Sequence, residues 1–381
     1  MHPTRIVNAR IPALHGTLAD AEIGMIDGHF GPAGADAKIW DARGLLLLPG
    51  IVDIHGDAFE RQAMPRPGVY FADDIALFET DRQLVANGIT TAFHALTWSW
   101  EPGLRSTERA QLFVDTLDRM RPHLACDTKL HLRWETFNLE AIDAAEVWLG
   151  AGRVALLAFN DHTTGMLKVS RGPAYAAKVV ERTGLTADAH AALLARIATF
   201  APDVAAANRR LASAARAAGI AIASHDDRTP EDRAEFRTLG CRISEFPLTR
   251  ATAEAARAAD DHVIMGAPNV VRGGSHLALV SAETMVRAGL CNILASDYYY
   301  PALLQAAWRL GGGAAGLAEF WPLISENPAR AAGLADRGTL ADGKRADCIA
   351  IDVSGALPRV AATFVAGRMV YEAGHLGLSA A

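Results

Sequence analysis

Eight apolar, strand-like runs recur along this chain of 381 residues, and intervals of helical character separate them. Aliphatic and β-branched residues fill the runs, and turn-forming or polar residues bound them. Because strands that alternate with helices are joined in parallel, this pattern predicts an α/β fold, specifically a (β/α)₈ TIM barrel. The predicted strands are Ile51–Asp57, Ile89–Leu96, Lys129–Glu135, Val154–His162, Ile220–Asp226, Arg242–Pro247, His262–Pro268 and Cys291–Asp297.

The intervals contain three clear helix candidates, at Thr107–Arg119, Asp188–Ala217 and Ser281–Ala288. The stretch 163–187 is too long for a simple loop, and it carries Lys168, Arg171 and Lys178. Such an insertion is often functional, although disorder or plain decoration is equally common.

The two ends of the chain have a different residue pattern from its middle. Short apolar stretches alternate with turn residues there, and Asp27-Gly28 predicts a hairpin. We expect residues 1–49 and 338–381 to pair into one small β-sandwich domain, and residues 50–337 to form the barrel.

Composition narrows the function classes. Half of the residues are hydrophobic and 21% are charged, which is typical of a soluble globular protein. The net charge of −6 gives no support to nucleic-acid binding, and no apolar run is long enough to span a membrane. The four cysteines show no CxxC spacing. They are expected to be buried thiols of a reducing compartment, so the predicted location is the cytoplasm.

Histidines and carboxylates collect at the predicted strand ends, where barrel active sites lie. Burying so many titratable groups together is costly unless cations compensate them, so the sequence predicts a divalent metal centre. His55 and Asp57 share one face of the first strand, whereas a histidine such as His94 is more often part of a packed core. The strand-end residues are His55, Asp57, His94, Glu135, Asp161, His162, His225, Asp226, Asp227 and Asp297.

The Pro49–His55 opening, the strand-end pattern and the stretches Asn327–Gly333 and Gly338–Asp347 resemble the amidohydrolase superfamily. Its members are metal-dependent barrel hydrolases with a small β-sandwich that both chain ends form. The resemblance covers essentially the whole chain.

Further motifs resemble a narrower family within it, the diphosphatases of the carbon–phosphorus lyase pathway. That resemblance implies hydrolysis of α-D-ribose 1-methylphosphonate 5-triphosphate to the 5-phosphate and pyrophosphate. The chain has Ala58-Phe59 where that family usually has Asn-Leu. The matching motifs are His55–Arg61, Pro65–Gly68, His131–Glu135, Asp161–Thr163, Ser224–Pro230, Glu245–Pro247, Met265–His276 and Ser296–Tyr299.

The resemblance implies divalent metal ions, two of them, with zinc first and manganese, iron or magnesium as alternatives. Glu135 is expected to bridge the metals in place of a carbamylated lysine, with His162 and His225 on the second metal. Asp297 is the expected general base, placed to orient a water and accept its proton. Asp57, Glu135 or His162 could instead orient a true ligand. The predicted ligands are His55, Asp57, Glu135, His162, His225 and Asp297.

The Arg272–His276 stretch follows the seventh strand and is the candidate phosphate cradle. Its glycines let backbone N–H groups approach an anion, and Arg272 could add charged hydrogen bonds; the alternative is an ordinary Gly-rich turn. Either Asp226 or Asp227 is expected to cap the helix near Thr229. The predicted substrate contacts are Glu60, Arg66, Asp227, Arg272, Ser275 and His276, with Arg133, Lys168 and Arg171 as weaker phosphate candidates.

The predicted partner is therefore a small-molecule triphosphate ester, with neither nucleic acid nor membrane, and a homo-oligomer stays open. Two other functions remain. An amidohydrolase or deacylase would cleave a C–N bond with the same metals. A non-catalytic barrel could serve as a structural partner, although such proteins generally lose the metal ligands that this chain keeps.

Overall fold

The computed structural model of this protein describes residues 3–12, 17–168, 173–274 and 280–374. Within these ranges the backbone forms sixteen strands. They are β1 (Thr4–Pro12), β2 (Leu18–Ile26), β3 (His29–Phe30), β4 (Lys38–Asp41), β5 (Leu46–Pro49), β6 (Ile51–Gly56), β7 (Ile89–Trp98), β8 (Asp127–Glu135), β9 (Leu156–Asn160), β10 (Ala221–His225), β11 (Ile243–Glu245), β12 (His262–Gly266), β13 (Ile293–Ala295), β14 (Cys348–Asp352), β15 (Arg359–Val365) and β16 (Arg368–Glu372).

The same ranges contain fifteen α-helices, and short 3₁₀ turns lie between some of them. The helices are α1 (Glu60–Ala63), α2 (Asp73–Ala86), α3 (Thr107–Met120), α4 (Ile142–Gly150), α5 (His162–Lys168), α6 (Pro173–Thr183), α7 (Ala187–Ala198), α8 (Ala201–Ala217), α9 (Pro230–Thr238), α10 (Arg250–Ala258), α11 (Ala267–Arg272), α12 (Ala282–Arg287), α13 (Ala302–Gly311), α14 (Leu317–Phe320) and α15 (Glu326–Ala331).

Strands β6 to β13 form one parallel sheet in chain order, and it closes into a barrel. All ten residues of β7 are buried, as expected for a strand that is covered on both faces. The seam between first and last strands is held by Asp297, whose N–H donates to the His55 carbonyl at 3.0 Å and whose carbonyl accepts from the Asp57 N–H at 2.9 Å. Buried Asp53 accepts the Ser296 hydroxyl at 2.5 Å across the same seam. The predicted (β/α)₈ barrel is confirmed.

Strands from both chain ends form the second sheet, in the order β16-β15-β14-β5-β1-β2-β3, with β4 also paired to β1. This sheet encloses its own apolar core, which includes Ile6, Phe30 and Phe364. The predicted hairpin at Asp27-Gly28 joins β2 to β3, and both turn residues have positive φ, 48° and 83°.

Three local predictions were wrong. The fourth barrel strand ends at Asn160 rather than His162, because His162 begins α5. The Ala-rich stretch 188–217 is two helices, α7 and α8, and Pro202 lies in the first turn of the second. The cap of α9 is Thr229, whose hydroxyl accepts from the Asp232 N–H at 3.1 Å, so neither Asp226 nor Asp227 has that role.

All four cysteines are buried free thiols, as predicted. Among the described helices, none combines the length and apolarity that a membrane span requires. The cytoplasmic location stays a prediction.

Candidate metal centre and active-site cleft

Strands β6, β8, β10 and β11 bring three histidines and a glutamate together inside the barrel, with His131 in the middle of β8 and the others at or near the carboxyl ends of their strands. His55 Nδ1 lies 3.1 Å from Glu245 Oε1, and His131 Nε2 lies 3.7 Å from the same oxygen. His225 Nδ1 donates to the other oxygen, Glu245 Oε2, at 3.1 Å. The rings of His55 and His225 stack with centroids 5.3 Å apart. Two predicted ligands, His55 and His225, are therefore adjacent.

Burial keeps these imidazoles neutral. The pKa of His55 and that of His225 are both held well below the usual value, first by desolvation and then by the charge of Arg133. Desolvation lowers the pKa of His131 to about 3. It raises the pKa of Glu245 to about 7, against the opposing charges of His131 and Arg133. Neutral imidazole is the form of histidine that binds a metal.

The donor atoms at this point fit a divalent cation. His55 Nδ1, His131 Nε2 and Glu245 Oε1 are buried and have no hydrogen bond of acceptable geometry among the described residues. Buried polar atoms without a hydrogen bond lower the stability of a fold. As metal ligands, a set of nitrogen and oxygen atoms of this kind suits zinc and similar first-row metals. His55, His225 and Glu245 form one group with the spacing of a metal site, and His162, His225 and Asp226 form a second.

Arg133 also enters this cluster. Its Nη2 donates to His225 Nε2 at 3.0 Å, and its Nη1 lies 3.4 Å from the carboxylate of Asp57. The side chain of Arg133, a weaker phosphate candidate in the sequence, is buried. A guanidinium at this position places fixed positive charge beside the predicted metal ligands.

The carboxylate of Glu135 is occupied by the amino end of α5. Oε2 accepts from the His162 ring at 3.1 Å and from the His162 N–H at 3.3 Å. Oε1 accepts from the Thr163 hydroxyl at 2.7 Å and from the Thr163 N–H at 3.2 Å. Trp100 in turn donates to that hydroxyl at 2.9 Å. These four bonds use the acceptor positions of a carboxylate, and they leave His162 Nε2 available as a ligand.

Asp297 follows β13 and reaches the cleft from the barrel seam. It has a positive φ of 55°, and its Oδ2 lies close to Gly266, where a Cβ would stand only 3.4 Å from it. Desolvation, and then the charge of Asp57, raise the pKa of Asp297 to about 7. A carboxyl group poised near neutrality is suited to accept and release a proton.

The predicted substrate contacts are dispersed. Glu60 is engaged with Arg105 through two hydrogen bonds of 3.2 and 3.0 Å. Asp227 is buried but lines the larger cavity, and its Oδ2 accepts from Ser224, Ser244 and Arg233. Exposed Arg66 lines neither cavity of the cleft described below. Arg272 reaches the cleft, whereas Ser275 and His276 lie outside the described residues.

Two cavities open over the cluster and share His225, Asp226 and Leu248. The larger, of about 370 Å³, is lined by His162, Glu135 and residues further out. The smaller, of about 200 Å³, is lined by His55, Arg133, Arg272 and Asp297. Five of the six sequence-predicted ligands therefore line this cleft at the carboxyl ends of the strands, and Asp57 lies behind it, next to Arg133.

Two residues of the cluster, Glu245 and His131, were missed as site residues, although the sequence carried a signal for each, and Arg133 was named only as a weaker phosphate candidate. Glu245 is the last residue of the sixth strand, and the strand-end rule alone would have selected it. His131 and Arg133 alternate with Glu135 on β8, so all three side chains point to the same face of that strand.

Comparisons with known proteins agree with this architecture. No family model matches the chain. It is similar to the α-D-ribose 1-methylphosphonate 5-triphosphate diphosphatase of Escherichia coli K12, with 34% identity over 316 residues, which cover 81% of this chain and 84% of that protein.

Solved structures share the fold at low identity. N-isopropylammelide isopropylaminohydrolase from Burkholderia multivorans superposes with a TM-score of 0.65 and 18% identity, covering 98% of this chain and 99% of that one. Dihydropyrimidinase from Brevibacillus agri gives a TM-score of 0.63 and 12% identity, covering 97% and 95%.

Proposed function

Since this chain belongs to the amidohydrolase superfamily and, within it, to the family of the α-D-ribose 1-methylphosphonate 5-triphosphate diphosphatase, we propose that it hydrolyses that triphosphate in phosphonate catabolism. The products are the ribosyl 5-phosphate and pyrophosphate. The observation that carries the proposal is the likeness to the Escherichia coli enzyme over most of both chains. The cleft supports it, because metal-type donors and arginines line the same space.

In the proposed reaction, water adds across the bond between the α- and β-phosphates. Its oxygen joins the α-phosphorus, the bridging oxygen leaves with pyrophosphate, and the proton passes to Asp297 and then to solvent. A divalent cation held by the donor cluster supplies Lewis-acid stabilisation of the phosphoryl charge and makes a water more acidic.

The protein's own groups would divide the remaining work. His55, His225 and Glu245 hold the cation, with His131 beside them, and Asp57, His162 and Asp226 complete the set. Glu135 fixes the ring of His162 through its hydrogen bonds, which is a positioning role rather than the bridging role expected from the sequence. Arg133 and Arg272 face the cavity that contains Asp297, where they can neutralise phosphate charge.

We expect Arg272→Ala to lower kcat/KM by about ten- to a hundredfold, the scale of one lost charged hydrogen bond to the substrate. Arg272 is exposed at the end of α11, and its Nη1 lies 3.4 Å from the Tyr298 hydroxyl, so the melting temperature should not change. Arg272→Lys should recover only part of the loss, because the guanidinium fork is absent. Steady-state kinetics and thermal melts measure both.

The control for this prediction is Arg250→Ala, which removes an exposed arginine that pairs with Glu254 on α10. It should leave both kinetic constants unchanged. A large fall in melting temperature for Arg272→Ala with normal kinetics would identify the segment as an ordinary structural turn.

The second candidate is hydrolysis of a C–N bond, which the fold likeness to dihydropyrimidinase favours. A side-by-side assay separates the two. Metal-loaded protein should release pyrophosphate from the sugar triphosphate and leave dihydrouracil intact. Ring opening of dihydrouracil without attack on the triphosphate would replace the proposed function with the second one.

A further inference from the structure

The two cavities of the cleft meet at the candidate metal centre. His225 lines both and belongs to both groups of metal-type donors. The proposed reaction cuts the bond between the α- and β-phosphates, so that bond must lie at this junction. The two halves of the substrate then extend into different cavities: pyrophosphate into one, and the ribosyl methylphosphonate into the other.

The smaller cavity presents groups that can bind a polyphosphate, and the rest of its lining is largely apolar, from residues such as Phe246, Met265 and Pro268. Arg133 and Arg272 supply charge, Asn269 and Tyr298 supply neutral polar groups, and Gly274 lies at its edge. Its acids, Asp226 and Asp297, are those that face the metal centre. Its volume of about 200 Å³ suits pyrophosphate, which is the smaller half of the substrate.

The larger cavity combines carboxylates with arginines away from the metal centre. Glu101, Asp161 and Asp232 line it and can accept hydrogen bonds from sugar hydroxyls. Arg105, Arg182 and Arg228 line it as well. A ribose that carries a methylphosphonate anion needs both kinds of group, and pyrophosphate needs only the second.

Arg182 and Arg228 retain donors for an anion, although each is paired. Arg182 Nη2 donates to Glu101 at 2.5 Å, while its Nε is buried without a hydrogen-bond partner among the described residues. Arg228 Nε donates to Asp232 at 2.8 Å, its Nη2 lies 3.6 Å from Asp161, and its side chain is 43% exposed on the cavity rim. A guanidinium has five N–H donors, so these contacts do not saturate either arginine.

The insertion after the fourth strand brings Arg182 into place. Arg182 lies on α6, and His190 on α7 donates to the same carboxylate of Glu101 at 2.8 Å. Glu101 is buried, so α6 of the insertion and the following helix α7 are both held against the cavity wall through one side chain. This arrangement holds Arg182 in position before a ligand arrives.

Resting on the proposed function, we infer that the larger cavity is the subsite for the ribose and its C1 methylphosphonate. Arg182 and Arg228 bind the phosphonate anion there, and Arg272 binds the leaving pyrophosphate on the other side of the metal centre. The helix α6, which carries Arg182, is then a specificity element.

The test compares two substrates that share the triphosphate. One is α-D-ribose 1-methylphosphonate 5-triphosphate, and the other is 1-O-methyl-α-D-ribose 5-triphosphate, which has no charge at C1. We take the ratio as kcat/KM for the methylphosphonate substrate divided by kcat/KM for the 1-O-methyl substrate. Arg228→Gln should reduce this ratio by about tenfold, the loss expected for one charged hydrogen bond at a half-exposed position. Arg182→Gln should act in the same direction, with melting temperature as the check on folding. Arg272→Gln should lower both kcat/KM values and leave their ratio unchanged.

The outcomes separate this inference from the proposed function. If the wild-type protein hydrolyses neither triphosphate, the proposed function fails. If it hydrolyses the phosphonate substrate but neither Arg228→Gln nor Arg182→Gln changes the ratio, the subsite assignment is overturned. A change of ratio in Arg272→Gln alone would reverse the orientation of the substrate. Arg250→Gln, the exposed control, should match the wild type with both substrates.

Discussion

The Asp297→Asn variant should hydrolyse the sugar triphosphate with kcat lowered by about a hundredfold or more, the scale of a positioned acid–base group. Asparagine has nearly the same shape but cannot accept the proton of the attacking water. Burial and then the charge of Asp57 raise the pKa of Asp297 to about 7, and this residue lines the cavity that also contains Arg133 and Arg272. Steady-state rates and metal content should be measured on the same preparations.

Asp260→Asn is the matched control, because it makes the same chemical change at another aspartate with positive φ. The φ of Asp260 is 58° and that of Asp297 is 55°, but Asp260 is exposed before β12, at the opposite end of the barrel from the cleft. This control should keep the wild-type rate. A near-normal rate for Asp297→Asn with its metal retained would move the base role elsewhere. Asp226, which lines both cavities, would then be the next candidate, because Asp227 is already engaged by Arg233.

The Glu245→Gln variant should lose metal affinity by about a hundredfold or more, and activity with it. Removal of a residue that only hydrogen-bonds a metal ligand already lowers metal affinity 10- to 100-fold. Glu245 is placed to bind the metal itself as well as to hydrogen-bond a ligand. One oxygen faces His55 and His131, and the other holds His225. Metal per chain after gel filtration and competition with a chelator give the affinity. Glutamine also removes a buried charge that desolvation opposes, so the metal-free protein should still fold.

Glu135→Gln provides the comparison for this second variant. Glu135 contacts the proposed site through His162 and Thr163, so its substitution should disturb only the orientation of the His162 ring and lower metal affinity 10- to 100-fold. Comparing the loss of metal affinity in the two variants therefore tests whether Glu245 binds the metal and Glu135 only orients His162. Equal metal content in Glu245→Gln and wild type would show that the His55–Glu245 cluster holds no cation. A larger loss in Glu135→Gln than in Glu245→Gln would support the bridging role expected from the sequence.

The barrel could be predicted from the chain because its strands are nearly continuous apolar runs between polar ends. Such runs follow from burial on both faces, as in β7. Once the strands are placed, the active site is expected at their carboxyl ends. His55, His225 and Asp297 were selected as candidate site residues by that rule. The rule also covers Glu245, the last residue of the sixth strand, which was not among the predicted ligands.

Other features depend on contacts between distant segments, which the local pattern does not encode. Glu135 ends β8, but what its carboxylate binds is decided by where α5 begins, and the polar residues after Asn160 gave no sign that the strand had already ended. Arg133 was predicted only as a weaker phosphate candidate, although its alternation with Glu135 on β8 places both side chains on the same face. Likewise, the pairing of Arg182 with Glu101 joins residues 81 positions apart.

The most direct test of the proposed function is phosphorus NMR of α-D-ribose 1-methylphosphonate 5-triphosphate incubated with chelator-treated protein, before and after a divalent metal is restored. The account predicts that the metal-free protein is inactive and that the reconstituted protein releases one pyrophosphate for each ribosyl 5-phosphate, without orthophosphate as an early product. Full activity in the metal-free protein, or stepwise release of orthophosphate, would contradict it.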